Sequence, residues 1–450
     1  MKINRIVLIG NGFDLAHGLK TTYGDFCNHL INKELEQLKE EFYYEANNVS
    51  QQNKKTTLES SLILITNITG QRKKRIMTYF KNDTKRSPKD TFKSIKNMFP
   101  ESNFYFKNSF FGKIALLHLS SWIDIEELYF KELIQQNNEQ VSKLNEEFDF
   151  IKKEFELYLK NEVIEKNEKP EKKVLIESII KDIIKTDDIT ISFNTEFVAK
   201  QIDFMQKEIN LIVEDQSNSQ LIENLKREAQ ILTEHYNSND YSKKQDLNKI
   251  QTQLNEILIK TADISKRINK NREESKEFDE LELNKTIFLN FNYTNTHSLY
   301  SDPNNSKNIV VNIHGEVSNS KNPIIFGYGD ERDDEFDKLL KKNNNFLKNI
   351  KSYWYLNNDN YRTLLSLLDE NKYQIIILGL SCGVSDRVLL STLFEHKNCI
   401  SIKPYFYANN KNKYDNYQDT VMNISRSFVN KINMRELVVN KSKTSTYSIS

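Results

Sequence analysis

Residues 6–14 read IVLIGNGFD, and the fold is decided there. Arg5 to Ile9 is a short β-branched run of the kind that forms a buried strand, and Gly10, Asn11 and Gly12 end it abruptly. Leu15, Leu19 and Phe26 follow at spacings that suit a helix or a helical turn. A strand, a tight glycine loop and a helix start together open a βα unit of a parallel sheet. In such a loop Gly10 permits a sharp exit from the strand, and Gly12 lets backbone approach a ligand that a Cβ would push away. The helix beyond, with Asn11 and Phe13 at its start, is expected to aim N–H groups and its positive dipole end at a pyrophosphate. A turn that serves only chain reversal is the alternative, because the third glycine of the dehydrogenase fingerprint is missing. Asp14 would repel phosphates unless turned away, so it is expected to cap the helix or to hold a ribose hydroxyl. His17 is as readily a surface residue as a site residue.

One strand cannot bury both its faces alone, so the partners of this one must come from elsewhere in the chain. Strand signals return only after residue 284, at 286–292, 309–313, 323–326, 374–378 and 400–406. Helical spans at 333–350, 361–370 and 385–394 supply a βαβ rhythm. The expected architecture is therefore α/β: a Rossmann-like parallel sheet built from residues 1–30 and 284–440, split by a large helical insertion over 31–283. Residues 441–450, rich in Ser, Thr and Lys, read as a frayed tail.

The insertion is highly charged, almost free of glycine, and reads as helical with no second sheet. Val141, Leu144, Phe148, Ile151, Phe155 and Tyr158 make one seam of alternating three-and-four spacing. Leu247, Ile250, Leu254, Ile257, Thr261, Ile264 and Ile268 make another. Both are too short and mixed for an autonomous coiled coil, which favours an intramolecular hairpin or bundle over an oligomerising stalk. Residues 51–99 look partly loop, and 237–244 look like a turn.

Composition narrows the function classes. Across 450 residues, 64 Lys and Arg balance 63 Asp and Glu, so no overall field recommends nucleic acid or an anionic membrane as partner. Cys27, Cys382 and Cys399 are odd in number and form no CxxC pair, which argues against a disulfide framework and a structural zinc site. A reducing cytoplasm is the expected location. The opening apolar run is too short for a secretory signal, and no segment is long and apolar enough to span a bilayer.

Candidate site residues gather at predicted strand ends. IFLNFNYTNTH, over 287–297, places Asn290, Asn292, Thr294 and Asn295 at the carboxyl edge of a strand, where ligands sit in open parallel sheets. IHGEV ends the next strand with His314, an imidazole able to accept a proton near neutral pH, and Gly315, which allows close approach. LGLSCGVSD, over 378–386, offers Ser381 and Asp386 for an adenine ribose, with a simple helix cap by Ser385 as the alternative. Turn-forming asparagines and a satisfied buried histidine are the bland reading of the first two motifs. No clustered carboxylate motif suggests a metal-dependent nuclease.

GNGFDLAHGL with TTYGDF, WIDIE at 122–126, NFNYTNT, IHG and GLS…SD, taken as an ordered set from Ile6 to about Leu393, resemble the AbiH family of phage abortive-infection proteins. The order of glycine loop, NYD-type segment, HG and late G-x-S is also similar to sirtuin-like domains of bacterial defence systems that hydrolyse NAD. That resemblance implies Gly10 and Gly12 as pyrophosphate contacts, Asn292 as the amide positioning the nicotinamide ribose or attacking water, and His314 as general base. It places Ser381 and Asp386 by the adenosine end, with Asn11, Phe13, Asp14, Thr294 and Gly315 around the nucleotide. Thr294 stands where the sirtuin-like segment has Asp, and Asp14 where Ser is usual. The zinc-ribbon cysteines of sirtuin deacylases are absent, and no metal is implied. Glu126 is expected to reach the pocket, with Trp122 structural, although a solvated helix face fits as well. The implied activity is cleavage of the nicotinamide–ribose bond of NAD, triggered by infection. A catalytically silent nucleotide-binding sensor that gates a partner effector is the alternative. A phage component, a partner defence protein or further copies of the chain are the expected macromolecular partners, and no membrane.

Overall fold

The computed structural model describes residues 2–48, 57–68, 70–81, 87–120, 124–166, 170–215, 220–238, 244–268, 281–409 and 413–449. Trp122 and most of the expected turn at 237–244 lie outside them. Five strands, β1 (Lys2–Ile9), β2 (Glu282–Asn290), β3 (Asn308–Asn312), β4 (Tyr373–Leu378) and β5 (Cys399–Pro404), form one sheet in the order β3-β2-β1-β4-β5. Every neighbouring pair is parallel. All of β1 beyond Lys2 is buried, as a near-continuous apolar run requires when both faces are covered.

Register sets the site. Ile9 pairs with Asn290 on one side and with Leu378 on the other, so Gly10, Phe291 and Gly379 emerge together at the carboxyl edge. The chain builds outward from β1 through β2 to β3 and then returns to β4 on the opposite flank. Where strand order reverses in this way, the two loops leaving adjacent strands part and open a crevice.

One face of the sheet carries Leu364, Leu368, Leu390, Leu393 and Ile424 from C-terminal helices. The other is covered by the insertion: Ile176, Ile179 and Ile180, on the helix Val174–Lys181, pack with Val7, Ile9, Phe288 and Ile376. Arg5, buried inside the sheet, donates to the Ile180 and Asp182 carbonyls at 2.8 and 2.6 Å and to Gln374 Oε1 at 3.0 Å. The two terminal nitrogens of the buried guanidinium thus draw their oxygens from both parts of the chain, while Nε has no partner among the described residues.

Both helical seams are buried within the chain. The first lies on Gln140–Tyr158, in one large core with the helix Tyr23–Asn48. The second, from Leu247 to Thr261, packs on Ile191–Asp215 and Gln220–Ser238; the side chains of Ile264 and Ile268 lie outside the described residues. One expectation is corrected inside the insertion. Leu58–Glu59, Ile63–Ile65 and Phe104–Phe106 form a small antiparallel sheet, so the insertion is not purely helical. The polar tract 51–99 holds the helices Gly70–Lys81 and Pro88–Lys96. The latter helix is started by Ser87, whose side chain accepts from the Asp90 N–H, with Pro88 at the first helical position.

Three further expectations fail near the C-terminus. Residues 323–326 make no ladder, because the Ile325 N–H goes to the His314 carbonyl at 2.7 Å and the following Phe326 and Tyr328 enter the insertion core. Over 333–350 only short turns form, Phe336–Leu340 and Asn344–Phe346, since the Asn343 side chain takes the Asn345 N–H and competes with the helix. The tail is ordered as a strand, Thr446–Ile449, parallel to Phe406–Asn409, with Tyr447 buried against Phe13 and Val7. No described helix is long and apolar enough to cross a membrane.

Candidate functional site

A single cavity of about 700 Å³ opens at the carboxyl edge and joins the Gly10 turn to His314. Its wall includes Asn11, Gly12, Asp14, Asn292, Thr294, Ser381 and Asp386 among the residues expected at a ligand. Phe13 and Gly315 are not in the wall. The Phe13 ring is buried against His17 and Tyr300, and Gly315, at φ +81°, makes a turn in which a Cβ would lie 2.1 Å from the Pro323 carbonyl oxygen. His17 is held away from the cavity between the Phe13 carbonyl and the Tyr300 hydroxyl, both at 2.7 Å.

The glycine loop has a different job from the one its sequence suggests. The Gly10 N–H donates to the Leu378 carbonyl at 3.2 Å, Gly12 N–H to Gly379 at 2.8 Å, and Phe13 N–H to Gly10 at 2.9 Å. Of Gly10 to Phe13, only Asn11 keeps an N–H without a main-chain acceptor. The helix that follows, Asn11–Ala16, is six residues long. A Cβ on Gly10 would meet Leu380 Cα at 2.4 Å, and one on Gly12 would meet Gly379 Cα at 2.9 Å. These glycines let two loops interlock, and their N–H groups are spent on that contact rather than left for phosphate.

Beyond the interlock lies a polar cluster on Asp14. It neither caps the helix nor faces water. It is 1% exposed, its Oδ2 accepts from Thr294 Oγ1 at 2.6 Å, and its Oδ1 has no hydrogen-bond partner. Burial pushes its pKa up to about 6, against the hydrogen bond from Thr294. Asn292 is fixed by the same arrangement: its Nδ2 donates to the Gly10 carbonyl at 3.0 Å, which leaves Oδ1 as its accepting atom. Asn290 stiffens the turn, accepting from the Asn292 N–H at 3.1 Å and donating to the Thr294 carbonyl and Asn312 Oδ1, both at 3.0 Å.

A carboxyl group held at a raised pKa destabilises the fold wherever it is ionised. Folded Asp14 binds its proton more tightly than the unfolded chain does, so its contribution is fully present below about pH 4 and is lost as pH rises through about 6. Asp14→Asn removes that penalty and is expected to stabilise the protein at pH 8 by about 1–3 kcal/mol. Urea denaturation of both proteins at pH 5 and pH 8 checks it: a variant less stable at both would make the carboxylate a structural group.

The opposite wall is charged. His314 Nδ1 faces the Phe291 carbonyl at 3.1 Å, which requires the proton on that nitrogen. Nε2 is then the titrating atom, 3.1 Å from both Asp386 Oδ1 and the Tyr355 hydroxyl. Burial and Lys351 lower the imidazole pKa, while Asp386 works to raise it. Burial would raise Asp386, but Lys351 and His314 outweigh it and hold the carboxyl well below the usual range. Asp386 therefore sits at the same end of the cavity as His314 and not at a separate adenosine end. The turn Val384–Asp386 follows Gly383 without a side-chain cap, so Ser385 has no capping role.

Sequence reasoning missed Lys351, Tyr23, Tyr293, Tyr355, Asn423 and Arg426, of which all but Tyr355 line the cavity. Nothing in the surrounding NIKSYW marks Lys351 as a site residue. Glu126 does reach the pocket, 4% exposed, and Asp124 caps its helix by accepting from the Glu126 and Glu127 N–H groups. Ser381 lines the outer part, where its carbonyl accepts from Asn423 Nδ2 at 2.7 Å and Arg426 contacts Asn423. Among the described residues no group of three His, Cys, Asp or Glu is disposed to hold a metal ion.

The sequence model of the family described as bacteriophage abortive infection AbiH matches residues 6–222 and 203–408. No curated protein and no solved structure matches significantly.

Proposed function

Because this chain belongs to the bacteriophage abortive infection AbiH family, whose role is phage abortive infection, we propose that its cavity binds NAD and hydrolyses the nicotinamide–ribose bond. The observation that carries this reading is the single cavity joining Gly10, Asn292 and His314 where the strand order reverses. The order third-second-first-fourth-fifth is that of Rossmann-type dinucleotide domains, and ligands of such sheets sit at the reversal. The cavity also falls in the usual size range for small-molecule sites.

The chemistry asks for few groups. Nicotinamide leaves from a cationic pyridinium, taking the electron pair of the C1′–N bond as a neutral molecule, so no acid is required. What remains is to hold the ribose, stabilise positive charge at C1′ and deliver water. Asn292 offers its Oδ1 to a ribose hydroxyl. His314 Nε2 takes the proton as water oxygen bonds to C1′. Asp14 supplies negative charge beside the reacting sugar: the carboxylate absent at Thr294 relative to the sirtuin-like segment is provided by a neighbour hydrogen-bonded to Thr294. With the Gly10, Gly12 and Phe13 N–H groups spent, Arg426 and Asn423 at the rim, beside the Asn11 N–H, are the groups available to the diphosphate.

The second reading is a silent nucleotide sensor gating a partner effector. It is favoured by His314 Nε2, which already has Asp386 and Tyr355 within 3.1 Å. Incubating purified protein with NAD, with and without phage-derived material, separates the two. Released nicotinamide supports hydrolysis, and calorimetric binding of NAD and ADP-ribose without release supports the sensor. Absence of both discards the dinucleotide altogether.

A further inference from the structure

Lys351 is a deeply buried charged side chain of the cavity, 1% exposed, and it stands between two carboxylates. Its Nζ lies 3.0 Å from Glu126 Oε2 and 3.1 Å from Asp386 Oδ1. The same Asp386 oxygen lies 3.1 Å from His314 Nε2. Glu126 comes from the insertion, on the helix Ile125–Gln135, and its other oxygen accepts the Gly327 N–H at 3.0 Å. Four groups from four distant parts of the chain thus form one unbroken line of contacts from an insertion helix to the imidazole.

The line is one positive charge short. Two carboxylates face one ammonium, and only a proton on Glu126 or on His314 Nε2 makes up the difference. Burial pushes Glu126 up to about 7, against the pull of Lys351, whereas burial and Lys351 lower His314, so the proton goes to Glu126 before the imidazole. Stability alone does not account for such a cluster, since buried ion pairs are commonly no better than apolar side chains of equal volume.

We propose that Lys351 and Glu126 are positioning residues for His314: through one buried lysine shared between two carboxylates, an insertion helix sets the hydrogen-bonding state of the imidazole, so that the site responds to where that helix lies. With Glu126 in place, Lys351 is divided, and Asp386 keeps an oxygen for His314. When Glu126 withdraws, Lys351 turns wholly onto Asp386 and displaces the imidazole from the oxygen they share. The consequence for turnover rests on His314 being the base proposed above; the contact line itself does not.

The groups facing the imidazole are Asp386, Lys351, the Tyr355 hydroxyl and the Phe291 carbonyl, with the Tyr293 ring alongside. Glu126 in turn faces Lys351, Asp124, Asp386, Tyr23 and Tyr293. The two variants therefore act with opposite sign. Glu126→Gln removes a negative charge and frees Lys351 for Asp386, so the His314 titration midpoint falls. Lys351→Met removes the competing cation, so the midpoint rises by about 1 unit.

Imidazole NMR titration of the full chain, with the His314 resonance identified by its loss in His314→Gln, reads both shifts. Should Lys351→Met not fold, the double variant Glu126→Gln with Lys351→Met leaves one carboxylate facing one imidazole, and its midpoint is expected above that of the wild type. Midpoints that stay put, or move the same way in the two single variants, overturn the proposal. If they move as stated and wild type releases no nicotinamide, the hydrolase reading falls and the positioning role stands. If nicotinamide is released but the midpoints do not move, the positioning role falls alone. Where both hold, Glu126→Gln lowers kcat about 10-fold or more and leaves NAD binding unchanged.

Discussion

On the hydrolase reading proposed above, His314→Ala is expected to lower NAD hydrolysis by a factor of about 10² to 10⁴, the range lost with a general base, with NAD binding retained. Nε2 is the one atom of the ring free to change protonation, because Nδ1 is committed to the Phe291 carbonyl. Truncation leaves the Phe291 carbonyl and the Tyr355 hydroxyl without a partner, at a cost of about 1–3 kcal/mol for each buried group. Asp386 is not orphaned, since Lys351 stays within 3.1 Å. The variant should therefore remain folded, with a lowered Tm, and calorimetry with NAD separates lost chemistry from lost binding. Nicotinamide release at the wild-type rate would remove His314 from the mechanism.

Asn292→Ala provides a contrast within the same assay. Its Nδ2 holds the Gly10 carbonyl, so the substitution loosens the interlocked loops as well as removing the accepting oxygen. A fall in NAD affinity accompanying the loss of turnover separates it from His314→Ala.

The parts of the fold legible in the sequence are those coded by local period. The buried run of β1 and the strand ends at Asn290, Asn312 and Leu378 follow from β-branched residues stopped by Gly or Asn. Pairing a residue near the start with others some three hundred positions later was legible for a general reason, because a lone buried strand must find partners. Local period fails where hydrogen bonds are tertiary. Residues 323–326 are apolar and β-branched like a strand, yet Ile325 bonds to the His314 carbonyl, outside any ladder. Tyr447 sits in a Ser/Thr/Lys-rich tail, and its burial depends on a niche that only the folded glycine loop creates. The charged half of the site was hidden most deeply. Glu126, Lys351 and Asp386 are separated by 225 and 35 positions, and a lysine between two acids carries no mark of burial in its own neighbourhood.

The glycine loop illustrates how a motif can be found and its physical reason misassigned, and Gly379→Ala is the experiment that shows it. Gly379 has φ +73°, and a Cβ there would lie 2.1 Å from the Phe13 nitrogen and 2.5 Å from the Gly12 carbonyl carbon. Both are backbone atoms of a turn held by the Gly12 N–H to Gly379 and Phe13 N–H to Gly10 bonds, so neither yields without breaking the interlock. The left-handed conformation alone costs about 1–2 kcal/mol in a residue with a Cβ. Gly18 has φ +81°, and a Cβ there would meet nothing within 4 Å, so Gly18→Ala measures that cost by itself. Gly379→Ala is expected to exceed it by about 3 kcal/mol or more, a large share of the roughly 5–15 kcal/mol that holds a typical domain together. Chemical denaturation of the two variants side by side reads the difference. Equal destabilisation would mean that the loops separate freely, which would return Gly10 and Gly12 N–H groups to the cavity as phosphate donors.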